Sequence, residues 1–89
     1  MLMNKFWYTE ALKDYEKYKM SNPRLVNKIN TLLKDIEING VAQGLGKPER
    51  LKYIDAYSRR IDQANRLVYK LTPNNDLFVI SCKGHYDDK

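Results

Sequence analysis

The chain has 89 residues, 43% of them hydrophobic and 30% charged, with sixteen Lys/Arg against eleven Asp/Glu for a net charge of +5. That length supports one domain, residues 1–89, and no apolar run approaches the ~18 residues of a membrane span. Met1 to Trp7 lack the layout of a signal peptide, the one cysteine (Cys82) excludes an internal disulfide or a Cys-based zinc site, and the one histidine (His85) excludes a multi-histidine metal centre. The expectation is a cytoplasmic domain with no metal and no cofactor.

In chain order, Lys5 to Tyr8 is a short aromatic run that reads as a first strand. Thr9 is placed to cap a helix, with Glu10 favourable at its positive end and Ala11, Leu12, Tyr15 and Tyr18 at helical spacing. Ser21-Asn22-Pro23 ends that helix and starts another, with Asn22 as cap and Pro23 in the first turn. Leu25, Val26, Ile29, Leu32, Leu33 and Ile36 form the apolar stripe of the second helix, which Asn39-Gly40 stops. Residues 41–48 read as a flexible connector. Its Gly-Leu-Gly-Lys string is not a phosphate loop, because Val41 and Pro48 stand where that motif needs glycine and Ser/Thr. From Arg50 the pattern turns to period two, with strands at 57–61, 66–71 and 77–83 separated by turn-forming runs 62–65 and 72–76. The sum is an α+β fold: an N-terminal strand, then a two-helix hairpin packed on one face of an antiparallel sheet of about four strands. The other sheet face is free to stay open to solvent.

The charge is concentrated. Residues 47–70 hold seven basic side chains (Lys47, Arg50, Lys52, Arg59, Arg60, Arg66, Lys70) against Glu49, Asp55 and Asp62, with Tyr53, Tyr57 and Tyr69 interleaved. Basic side chains among flat aromatics suit a phosphate backbone and unstacked bases; a solvated basic face with tyrosines packed in the sheet is the plainer alternative. Strand parity puts Ser58 and Arg60 on one face, and a bulge would decide where Arg59 points. Arg60 and Arg66 flank a turn and can face each other across a hairpin, where two cations call for an anion. With Glu49 before them and His85-Tyr86 after the last strand, the set suits phosphoryl transfer by a base, a cationic clamp and an acid. RNA would supply its own nucleophile, the 2′-OH.

Several blocks resemble the YoeB/Txe family of RelE-like toxins from bacterial toxin–antitoxin pairs. These are Gly46-Lys47-Pro48-Glu49 with Leu51-Lys52, Tyr57-Ser58-Arg59-Arg60-Ile61, Asn65-Arg66-Leu67-Val68-Tyr69, His85-Tyr86, and residues 28–36 of the second helix. The resemblance runs in order along nearly the whole chain. It implies the RelE-like fold and an mRNA endoribonuclease that cuts in the ribosomal A site, leaving 2′,3′-cyclic phosphate and 5′-OH ends. It implies neutralisation by a YefM-like antitoxin, operator DNA contacted only through that complex, a homodimer, and no membrane. It also assigns roles: Glu49 as general base, Arg66 as transition-state cation, His85 as general acid and Tyr86 as the substrate-positioning tyrosine. Lys52, Arg59 and Arg60 become substrate-binding cations. Arg50 departs from the proline many members carry there, and the stretch from Lys52 to Ser58 is about two residues shorter than in several members. Two other readings fit the scaffold: a non-catalytic ribosome or nucleic-acid binding module, and a toxin of the same fold aimed at gyrase.

Overall fold

The computed structural model describes residues 3–84. Its elements are β1 (Lys5–Trp7), α1 (Thr9–Ser21), α2 (Pro23–Asn39), β2 (Glu49–Arg50), β3 (Tyr57–Arg60), β4 (Arg66–Leu71) and β5 (Leu77–Ser81). They build one five-stranded sheet in the order β1-β5-β4-β3-β2. Strands β3 to β5 form the expected antiparallel meander, and the short β2, for which no strand was expected, extends it beside β3. β1 joins it in parallel, with Lys5 opposite Leu77 and Trp7 opposite Val79, so the sheet is mixed. The helical pair is the crossover that permits a parallel neighbour.

α1 begins one residue earlier than the Thr9 cap implies. Tyr8 is the capping residue, with extended backbone and no side-chain cap bond. Its N–H is committed to Val79 O (2.9 Å) while its carbonyl accepts from Leu12 N (3.0 Å), so the strand hands over directly to the helix. Asn22 does sit between the helices, but it works through its backbone: its N–H donates to Tyr18 O (2.8 Å) and its carbonyl accepts from Leu25 N (3.0 Å). Pro23 takes the first turn of α2, and Gly40 closes that helix at a φ of 89°, its N–H on Ile36 O.

The α2 stripe is the heart of the core. Leu25, Ile29, Leu32, Leu33 and Ile36 are buried against Ala11 of α1, Leu67, Tyr69, Leu77 and Val79 of the sheet, and Cys82 just after β5. Each such aliphatic side chain contributes roughly 1.5–3 kcal/mol on burial, which holds a helix that would be marginal alone. Val26 only flanks the stripe, and Leu12 is exposed.

The far sheet face is only partly open. Residues 51–56 turn back across it, placing Leu51 and Ala56 on Val68, with Ile54 and Ile80 alongside. Arg50 ties this turn together. Its guanidinium donates to Ile54 O (2.9 Å), Leu51 O (3.3 Å) and Ala56 O (3.3 Å), and pairs with Asp55 (3.1 Å). A proline at position 50 has no such donors. A bulge falls where Val68 faces Ser81 while Tyr69 faces Val79, leaving Ile80 as the extra residue of β5.

Candidate active site on the far face of the sheet

Register decides what the site contains. Glu49 lies opposite Ser58, and Arg60 lies opposite Arg66. Directly opposed residues share a face, so Glu49, Ser58, Arg60 and Arg66 all belong to the face turned away from the helices. The bulge is in β5 and not in β3, so the alternation in β3 is intact and Arg59 goes to the helix side.

Arg66 is held from two sides. Its Nε donates to Ser58 Oγ (2.9 Å), and its Nη2 donates to Glu49 Oε1 (3.1 Å) and, at longer range, to Ser58 O (3.4 Å). Ser58 is buried, the Arg66 side chain is 13% exposed, and the Glu49 side chain is 67% exposed. A fixed guanidinium therefore touches a carboxylate that solvent can reach. Such a pair can take a proton at the carboxylate while the cation stabilises negative charge forming beside it. Arg60 is exposed next to them, its backbone N–H bonded to Gly46 O (2.7 Å). Lys52 is exposed in the turn that crosses this face.

The β3–β4 turn carries a second set of bonds toward the same corner. Asp62 Oδ1 accepts from Ala64 N (2.9 Å) and Asn65 N (2.8 Å), an Asx-type turn. Asn65 Oδ1 then accepts from Gly84 N (2.8 Å), and Arg66 N donates to Gly84 O (3.0 Å). Tyr18 OH donates to Cys82 O (3.1 Å). Burial pushes the Tyr18 hydroxyl up to about 12 and the Cys82 thiol up to about 11, so both stay protonated at neutral pH. Gly84, the last described residue, is thus anchored beside Arg66. His85 and Tyr86, expected as acid and substrate tyrosine, lie outside the described residues.

Arg59 corrects the expectation of a substrate-binding cation. It is fully buried, and its Nε donates to Tyr69 OH (2.8 Å). Its Nη1 donates to Asp35 Oδ2 (2.5 Å) and Leu45 O (3.1 Å), and its Nη2 to Gly40 O (2.8 Å) and Gln43 O (2.7 Å). All five guanidinium donors are engaged inside the protein, with none left for a phosphate. The Arg59 hydrogen bond and the Leu45 N–H hold Asp35 below the usual carboxylate range. Tyr69 is core, its hydroxyl donating to Val41 O (2.7 Å) and pushed up in pKa by burial. Tyr57 stacks on Tyr69 and under Arg50, while Tyr53 is exposed. The connector 41–48 is therefore bonded to the core and is not the loose tether its glycines suggested.

Three contributors escaped the sequence reading. Asp35 sits 24 residues from Arg59 with no local signal. Ser58 was placed on the Arg60 face by strand parity, but nothing marked it as the hydrogen-bond partner of Arg66. Asn65 was legible only as a turn residue. Among the described residues no group of three or more His, Cys, Asp or Glu can hold a metal ion.

Known proteins resemble this chain in sequence and in fold. The family model described as a YoeB-like toxin of bacterial type II toxin-antitoxin systems matches residues 7–86. Toxin YoeB of Escherichia coli K12 is 38% identical over 86 residues, covering 94% of this chain and all of that protein. Toxin YoeB of Synechocystis is 40% identical over 85 residues, covering 92% and 96%. The Staphylococcus aureus YoeB dimer superposes with a TM-score of 0.89 at 41% identity, covering 94% of this chain and 98% of that one. A YoeB–YefM complex from the same organism gives 0.87 at 42%, covering 97% and 100%. At 16% identity E. coli YafQ still reaches 0.73, a likeness of fold alone. Two helices on a mixed five-stranded sheet, with this match to solved toxins, define a RelE-like toxin. Within that class the chain belongs to the YoeB family of type II toxin–antitoxin toxins.

Proposed function

We propose that this toxin is a metal-independent endoribonuclease that cuts mRNA in the ribosomal A site and so stops translation. Glu49 takes the proton from the 2′-OH, and the freed oxygen attacks the adjacent phosphorus. Arg66, with Arg60 and Lys52 around it, neutralises the charge that builds on the phosphate. His85 returns a proton to the departing 5′ oxygen, and Tyr86 positions the substrate. The products are a 2′,3′-cyclic phosphate and a 5′-OH. The contact that carries this reading is Glu49 Oε1 to Arg66 Nη2 at 3.1 Å on a solvent-facing edge. That contact supports the reading, because a base on the 2′-OH and a cation on the adjacent phosphate have to act on neighbouring atoms.

The domain, residues 1–89, works in the cytoplasm with a YefM-like antitoxin as its inhibitor, meets operator DNA only through that complex, and forms a homodimer. YoeB–YefM assemblies and a YoeB dimer among its structural relatives support these partners. No described helix is long and apolar enough to cross a membrane. The test is Glu49→Gln on translating ribosomes with cleavage ends mapped. The parent is expected to cut and the variant to bind ribosomes with only a small residual rate of cutting. Binding without cleavage by the parent itself would favour the non-catalytic module.

A further inference from the structure

The Arg59 guanidinium gathers the carbonyls of Gly40, Gln43 and Leu45, all from one loop. Asp35 neutralises it and at the same time accepts from Leu45 N (3.0 Å). The loop is gripped again at Gly46, whose carbonyl takes the Arg60 N–H. A Cβ at Gly46 would stand 3.0 Å from Arg60 O and 3.1 Å from both Arg59 Cβ and Leu32 Cδ2, so the backbone passes there with no room to spare. Three residues later the chain reaches Glu49 and its contact with Arg66. A buried ion pair is a poor device for stability alone, since apolar side chains of similar volume often serve as well. A guanidinium aimed at three carbonyls of one loop does something apolar packing cannot: it fixes the path of the backbone.

We propose that Arg59 is a positioning residue for RNA cleavage, setting the placement of Glu49 against Arg66 through the loop of residues 40–46. This rests on the reading of Glu49 as the base. Misplacing a reacting group by about 1 Å can cost around a hundredfold in rate. Lysine cannot substitute, because one ammonium opposite Asp35 keeps the charge but cannot span three carbonyls and Tyr69.

The experiment compares the parent, Arg59→Lys, Glu49→Gln and the double variant for cleavage on translating ribosomes, with amide exchange measured on each. Arg59→Lys is expected to lower the cleavage rate constant at least about tenfold with the half-saturating ribosome concentration unchanged. The amides of Leu45 and Arg60 should exchange faster while those of α2 and β4 keep parental rates. In the Glu49→Gln background the same substitution should change the residual rate by less than about twofold, because the residue it acts through is already disabled. A parental rate in Arg59→Lys, or an equal loss in both backgrounds, overturns the positioning role. A Glu49→Gln protein that cuts at the parental rate removes the base and this role together, whereas a strongly slowed Glu49→Gln beside a fully active Arg59→Lys removes this role alone. Should Arg59→Lys fail to fold, Gly46→Ala displaces the same loop and carries the same expectations.

Discussion

Arg59, Arg60 and Arg66 lie within eight positions, yet they occupy three environments. Arg59 is sealed among five acceptors, Arg60 is exposed, and Arg66 is pinned by Ser58 and Glu49 with a small part of its side chain in solvent. Alternation in β3 separates the first two, and the hairpin register brings the last two face to face. The pairing of Arg60 with Arg66 was legible in the sequence because a short turn allows few registers. The fate of Arg59 was not, because its counter-charge, Asp35, comes from α2. Arg66→Ala is expected to slow cleavage on ribosomes on the order of a hundredfold, roughly 3 kcal/mol of barrier. Its circular dichroism and urea midpoint should stay near parental, since this side chain lies outside the α2 core. A variant that cuts normally would remove Arg66 from the chemistry.

Among the elements, the helices were the easiest to read. A six-residue apolar stripe has one sensible burial, and Asn39-Gly40 is a strong stop. The capping atoms were misread, because a tertiary bond to β5 and backbone bonds of Asn22, to Tyr18 O and from Leu25 N, took over from the side chains. The connector was the hardest. Its glycines signal permissive backbone, but here they serve close approach: Gly46 adopts a φ of 79° and packs on Arg60 and Leu32. Gly46→Ala is expected to destabilise the protein by about 1–3 kcal/mol, from backbone strain and overpacking together. Equilibrium urea unfolding measures it, and an unchanged midpoint would mean that the loop can lift off the core at no cost.

Across the whole molecule, charge does two jobs. The exposed cations around Glu49 leave a basic face suited to a polyanion, and the Arg59–Asp35 pair ties that face to the helical layer behind it. Asp35 titrates below its unfolded value, so the folded state binds fewer protons there than the unfolded chain. Its stabilising contribution is complete above about pH 4 and is lost as the pH falls through the lowered folded value. Asp35→Asn is expected to cost about 2 kcal/mol at pH 7. That is less than the 3–5 typical of a broken buried pair, because the Asp35 side chain keeps 12% exposure. Parent and variant stabilities, followed by urea unfolding from pH 7 to pH 3, should converge only below pH 4. Parallel curves over that range would show that Asp35 does not titrate with folding.

The sequence by itself determined the α+β order, the two helices, the meander, the basic window and the residues that flank its hairpin. Each of those rests on local periodicity or on turn chemistry, which a single chain spells out. Only the tertiary structure decided that β1 runs parallel beside β5, that residues 51–56 cover part of the far face, and that Glu49 meets Arg66. It alone separated Arg59 from the cations of the site. Those outcomes depend on register and on partners distant in sequence, such as Asp35 and Arg59, and nothing at either position announces the other.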